Sequence, residues 1–259
     1  MIESGSILSA RPYPSPSKAV KLTEITYQSG AYRVKGLLAR PTAHGDYDGL
    51  IYLRGGLQHV GMVRAARIAQ FAQQGFIVFA PYYRGNRGGQ GRDEFAGDDR
   101  YDALYAVDVL KQYYKGNRIH VYGFSRGGMM AQWLGIMCEE VTSVVTWAGV
   151  SDVTYMYYER LDMRRTLKRI IGGTPEKYQE RYDARTPLLQ LHRLQAPLLI
   201  IHGERDAHVD VEHAYFLQSC AQTLDKDVTL WLLEHETHHF KPAVNRDTVR
   251  ALCHWMKAQ

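Results

Sequence analysis

Ser125 stands where a nucleophile would be expected. It lies in Gly123-Phe124-Ser125-Arg126-Gly127, which fits G-x-S-x-G. An apolar run, 119–122, precedes it and a helix-forming run, 129–137, follows. That setting calls for a sharp strand-to-helix turn with the hydroxyl exposed at its tip. Glycines flank it because side chains there would strike neighbouring backbone. The plainer alternative is a Gly-rich helix start capped by Ser125. A serine hydroxyl also needs a base, and the base needs an orienting carboxylate. Past the apolar run 198–201, a glycine turn carries Asp206, with Glu204 and Asp210 as rival acids better suited to solvated loop or cap roles. Past 228–233 come His235, His238 and His239. The order serine, acid, histidine is the one such a serine turn requires.

The last segment carries a competing signal. His235-Glu236-Thr237-His238-His239 fits H-E-x-x-H, with His235 and His239 as zinc ligands and Glu236 as base. That chemistry needs both histidines on one helical face. A strand-like run ends at Leu233 and Pro242 follows, leaving barely one turn, and proline inside a helix costs about 3 kcal/mol. No metal site is expected. The Gly-rich stretch 85–91 lacks the Lys-Ser/Thr of a phosphate loop, so no nucleotide cofactor is expected either.

The positioning elements follow from apolar periodicity. Strands are read at 22–28, 33–39, 50–54, 76–80, 119–122, 143–147, 198–201 and 228–233. The last six are compact and rich in Val, Ile and Leu, as strands buried on both faces are. The first two are longer and more polar and suit an antiparallel edge. Helices are read at 63–73, 99–114, 126–138, 211–223 and 243–257, the second opening on paired aspartates that favour a helix start. Strand and helix alternation implies an α/β fold with a mostly parallel eight-stranded sheet flanked by helices. The stretch 151–196 breaks the rhythm between strands six and seven. It is charged, Tyr-rich and too long for a connection, and reads as a helical cap. No linker divides the chain, so 1–259 is read as a single domain. Asp206 and the histidines fall just past strand C-termini, where parallel sheets form their ligand sites.

Composition narrows the function classes. The chain has 259 residues, 45% hydrophobic and 23% charged, enough for one large soluble domain. No apolar run is long enough to span a bilayer, and the first residues lack the apolar core of a secretory leader. Three scattered cysteines suit reduced thiols rather than a disulfide framework. A cytoplasmic location is expected. The net charge of +5 is spread along the chain, and its densest basic stretch, 160–169, reads as a solvated helix face. Neither nucleic acid nor membrane is expected as a partner, and a homodimer is compatible with the sequence.

Taken together, the segments resemble the catalytic domain of the prolyl oligopeptidase family, within the α/β-hydrolase fold. The stretch 83–92, YRGNRGGQGR, is similar to the family's Y-R-G-S-x-G-Y-G-R. Arg54-Gly55-Gly56-Leu57 resembles H-G-G-P, and 123–128 matches G-x-S-x-G-G. The stretch 202–209, HGERDAHV, resembles H-G-x-x-D-x-x-V-P, and His238-His239-Phe240 resembles the G-H-x-F ending. The similarity runs from about residue 25 onward. It implies Ser125 as nucleophile, Asp206 as orienter and His238 as base. It also implies an oxyanion hole from the backbone N–H of Arg126 and of Gly56 or Leu57. Arg54 and Leu57 depart from H-G-G-P, Asp210 stands where the family has proline, and Arg126 stands where its peptidases often carry an aromatic residue. The family's N-terminal β-propeller, which filters substrates and in some members holds a peptide's amino terminus, has no counterpart in this sequence.

The expected activity is cleavage of esters or small peptide-like amides through an acyl-serine, without metal or organic cofactor. The substrate is expected to be a small-molecule ester or short peptide. A true oligopeptidase is the alternative within the class, and a catalytically silent binding domain the alternative outside it. Tyr155, Tyr157 and Tyr158 either line a substrate pocket or pack the insertion onto the sheet. Arg126 either favours an acidic or carbonyl-rich substrate or is held in a local ion pair.

Overall fold

A computed structural model describes residues 2–259. Its centre is a sheet of nine strands in the order β1-β2-β3-β5-β4-β6-β7-β8-β9. The strands are β1 (Ile7–Tyr13), β2 (Val20–Ser29), β3 (Tyr32–Pro41), β4 (Asp48–Leu53), β5 (Phe76–Pro81), β6 (Ile119–Phe124), β7 (Val141–Trp147), β8 (Leu198–Gly203) and β9 (Val228–Leu233). β1, β2 and β3 run antiparallel to their neighbours, and β5, β4, β6, β7, β8 and β9 are parallel. Most parallel strands are buried on both faces as their composition demands, and every residue of β5 and β8 is buried; β9, at the sheet's edge, is only half-buried, contrary to its expected double burial.

The sheet has one strand more than the expected eight. β1 lies ahead of the first expected strand, pairs with β2, and is half-buried to exposed. Its sequence, ILSARPY, lacks a core face, and Pro12 is tolerated because an edge strand has backbone donors to spare. Nothing in its apolar pattern marks it.

Helices cover both faces. α1 (Ala65–Gln73) and α8 (Pro242–Lys257) pack on one side, where Phe71 and Leu252 join Val78 and Leu199. α2 (Arg100–Lys111), α3 (Arg126–Met137) and α7 (Glu212–Thr223) pack on the other, where Val107, Met130 and Leu217 meet Val121 and Val144. α3 is buried from Arg126 to Ile136, apolar all round because the sheet lies on one side and the cap on the other.

The cap expected at 151–196 is helical, built of short pieces. α4 (Val153–Glu159) leads through a 3-10 turn, Leu161–Met163, into α5 (Arg164–Leu167). A π turn, Lys168–Gly172, α6 (Pro175–Asp183) and a second 3-10 segment, Pro187–Arg193, complete it. A buried strap ties α4 to α7. His213 Nδ1 accepts from the Ser151 backbone N–H (3.2 Å), and its Nε2 lies 3.1 Å from Glu159 Oε1. The other Glu159 oxygen accepts from the Asp210 N–H at 3.0 Å.

Candidate active site

The serine turn has the strain its sequence predicts. Ser125 adopts φ 57° and ψ −126°, a conformation that costs a non-glycine residue about 1–3 kcal/mol. The surroundings hold it there: Ser125 N–H donates to Trp147 O (2.9 Å) and its carbonyl accepts from Gly128 N–H (2.8 Å). No side chain fits on either flank. A Cβ on Gly123 would lie 1.9 Å from the Gly127 carbonyl oxygen, and one on Gly127 would lie 2.1 Å from that of Leu53. The helix-cap alternative fails, since the Ser125 side chain makes no capping hydrogen bond to α3.

The acid and base arrive on the loops after β8 and β9. His238 Nδ1 lies 2.7 Å from Asp206 Oδ2. The other Asp206 oxygen accepts from the N–H groups of His208 (2.8 Å) and Val209 (3.0 Å). Burial disfavours the Asp206 charge, but hydrogen bonding by His202 and His238 outweighs it and holds the carboxyl well below its usual range. The pairing holds the imidazole through Nδ1 and leaves Nε2 outside that contact. The His238 ring packs 4.9 Å from Phe124, the residue before the serine. The rival acids fall away: Glu204 is exposed, and Asp210 caps the start of α7 by accepting from Glu212 N–H at 3.0 Å.

His239 stacks on Phe124 at 5.3 Å and is exposed, while His238 takes the carboxylate. Residues 234–240 form turns and loop, and α8 begins only at Pro242. His235 and His239 therefore share no helical face, and the H-E-x-x-H geometry is not formed. Glu236 is buried and accepts from the Lys241 N–H (2.7 Å), which shapes the loop bearing His238.

The loop after β4 approaches the serine from the other side. A Cβ on Gly55 would lie 2.9 Å from Ser125 Cβ, so only glycine lets this backbone come so close. Gly56 has φ 68°, and a Cβ there would meet the Val60 carbonyl at 2.3 Å. The N–H groups of Gly56 or Leu57 and of Arg126 are thus the candidate oxyanion donors. Arg54, which departs from the family's histidine, builds this loop. Its buried guanidinium donates to the carbonyls of Tyr82, Gly55, Val60 and Gln58 at 3.0–3.2 Å. Nothing in the sequence marked Arg54 for that role beyond its place in the motif.

Arg126 is held in an ion pair. Its buried guanidinium contacts Asp99, lies 2.8 Å from Asp93, and donates to Gly56 O at 3.1 Å. Burial opposes its charge, but the two carboxylates more than compensate and raise its pKa. Asp99 therefore does not cap α2 as its position suggested; its side chain turns inward to Arg126.

Ser125, His238, Gly56 and Leu57 border one cavity of about 470 Å³. Phe95, Met156 and Met163 give it an apolar wall. Tyr155, Tyr157 and Tyr158 lie outside it. Tyr155 packs edge-on against His213 and Phe216, Tyr157 against Tyr182, and Tyr158 donates to Glu176 (2.6 Å). They hold the cap together, because α4 turns its Met156 side, rather than its tyrosines, toward the serine.

Comparisons with known proteins identify the family of the chain. The model of the prolyl oligopeptidase family matches residues 62–259. The chain is 52% identical over 254 residues to the Bacillus subtilis (strain 168) protein "Uncharacterized peptidase YtmA", covering 97% of this chain and 99% of that one. It is 29% identical over 207 residues to Dipeptidyl-peptidase 5 of Porphyromonas gingivalis, covering 74% of this chain and 30% of that protein. Pyrococcus horikoshii acylaminoacyl peptidase superposes with a TM-score of 0.80 at 17% identity, over 93% of this chain and 42% of that one. That likeness bears on the fold alone and establishes the α/β-hydrolase architecture. The chain thus spans less than half of these two larger peptidases. Because the family match takes in the serine turn and both partner loops, this chain belongs to the prolyl oligopeptidase family of serine-type hydrolases.

Proposed function

We propose that this protein cleaves carboxylic esters or small peptide-like amides through an acyl-serine intermediate. The observation that carries this reading is the strained Ser125 turn opening on the same cavity as the His238–Asp206 pair. His238 Nε2 takes the Ser125 proton as the oxygen attacks the substrate carbonyl. Asp206 keeps the imidazole in the needed tautomer and stabilises its cation. The N–H groups of Arg126 and of Gly56 or Leu57 receive the oxyanion, each such donor contributing about 10²–10³ in rate. His238 then protonates the leaving group, and water repeats the cycle on the acyl-enzyme. No step calls for a metal or organic cofactor.

Cleavage of short peptides is the second reading. It is favoured by the identity of 52% to a protein named a peptidase. We place the enzyme in the cytoplasm. Support comes from free Cys138, Cys220 and Cys253, and no helix among the described residues is long and apolar enough to cross a membrane.

A fluorophosphonate probe tests the nucleophile. Wild type should label, with or without EDTA, and Ser125→Ala should not. Rates on aryl esters and aminoacyl anilides then choose between esterase and peptidase. Unlabelled, folded wild type would sink the acyl-serine mechanism.

A further inference from the structure

The wall of the cavity away from the apolar side is cationic. Arg64, the extended residue just before α1, and Arg67, in its first turn, both border it. Arg67 has only neutral partners, Asn245 Oδ1 at 2.5 Å and Gln70 Oε1 at 3.4 Å. Neither arginine is in an ion pair among the described residues, and Arg64 is exposed. Beneath them the rings of Tyr52 and Tyr122 stack at 5.1 Å and also border the cavity. No Asp or Glu borders it among the described residues. Arg169, exposed on the cap and in no ion pair among the described residues, also borders the cavity, whereas the other two arginines there are paired. Arg126 is neutralised by Asp93 and Asp99, and Arg160 by Asp162 at 2.7 Å.

This distribution selects a substrate. A peptide's ammonium group would meet no carboxylate in the cavity and would face three unpaired guanidinium groups, those of Arg64, Arg67 and Arg169. A carboxylate would find guanidinium donors suited to its two oxygens and no competing acid. We infer that the enzyme prefers esters or amides that carry a free carboxylate, recognised by Arg64 and Arg67. This rests on the reading of Ser125 as nucleophile and names its substrate class. The arginine next to the serine, Arg126, plays no part in the selection.

The test compares mono-4-nitrophenyl glutarate with 4-nitrophenyl valerate, which match in chain length and differ in the terminal carboxylate. Wild type should favour the glutarate ester in kcat/KM. That preference should fall by roughly tenfold or more in Arg64→Ala/Arg67→Ala, and by less in Arg64→Ala alone, whose side chain is exposed. The loss should appear in KM. Arg250→Ala, on the exposed side of α8, controls for bulk charge and should leave the preference intact. A preference that is absent in wild type, or that Arg250→Ala erodes equally, overturns the inference while leaving the serine mechanism standing. If wild type cleaves neither ester, the fluorophosphonate label reports on the serine mechanism separately. Binding of monophenyl glutarate to the Ser125→Ala protein, measured by calorimetry, then decides. Binding weakened about tenfold by the double arginine substitution supports the inference, and no measurable binding overturns it.

Discussion

Arg126 shows how a side chain adjacent to the nucleophile can be wholly structural. Its guanidinium sits over the rings of Tyr83 and Phe95, at 5.0 and 5.2 Å, between two aspartates. Arg126→Met would strand Asp99 in the interior and leave Asp93 only the more distant Arg54, at 3.7 Å. Breaking a buried pair in this way costs about 3–5 kcal/mol. For a chain of this size, calorimetry should show a fall of roughly 10 °C in the unfolding midpoint. An unchanged midpoint would mean the aspartates find other partners. Of the proposed triad, Ser125 and Asp206 were legible because chemistry dictates type and order, whereas choosing His238 among three neighbouring histidines took the family resemblance. Arg126's alternatives were both legible too, but choosing between them needed Asp93 and Asp99, which lie 33 and 27 positions away. Arg64 and Arg67 gave no sequence signal at all. Two arginines near a helix start look like any solvated face until the cavity beside them is seen.

At the scale of elements, the parallel core was readable because strands buried on both faces admit few polar residues. β1 was not, since edge pairing asks only for backbone. The cap was legible as a helical break in rhythm, but its tyrosines were ambiguous, because a helix must be seen against its neighbours before a face can be assigned. The Glu159–His213 strap is one of several ties between cap and body, beside the hydrogen bond from Trp133 Nε1–H to the Arg185 carbonyl at 2.9 Å. Glu159→Ala would leave His213 and the Asp210 N–H without their acceptor. A buried donor left so costs about 1–3 kcal/mol. The effect should be local: hydrogen exchange should quicken in Val153–Glu159 and around 208–213, with α1 and α2 unaffected. Equal protection in the variant would show that packing of Tyr155 on Phe216 suffices.

For the whole molecule, the sheet's interior sets a response to acid. His120 lies buried in β6, its Nδ1 2.8 Å from Ser143 Oγ and its ring edge-on to Phe76. Burial lowers its pKa to about 4, with Asp48 opposing and Arg118 assisting. The unfolded chain therefore binds a proton near pH 6.5 that the folded one refuses until about pH 4. Stability is full above pH 6.5 and declines as pH falls toward 4, by up to about 3 kcal/mol from this group. Urea midpoints at pH 7.5 and 5 should differ in that direction, and His120→Gln should flatten the difference. A slope untouched by His120→Gln would assign the acid sensitivity elsewhere.

The crowding around the serine turn has a consequence for how this enzyme can diversify. Gly55, Gly56, Gly123 and Gly127 have backbone or Ser125 itself where a side chain would go, so drift at those positions is closed off. Arg64, Met156 and Met163 instead stand at the cavity wall on elements that do not carry the nucleophile, the acid or the base. Selection can therefore rewrite which substrates are accepted, one wall residue at a time, while the reaction itself is inherited unchanged.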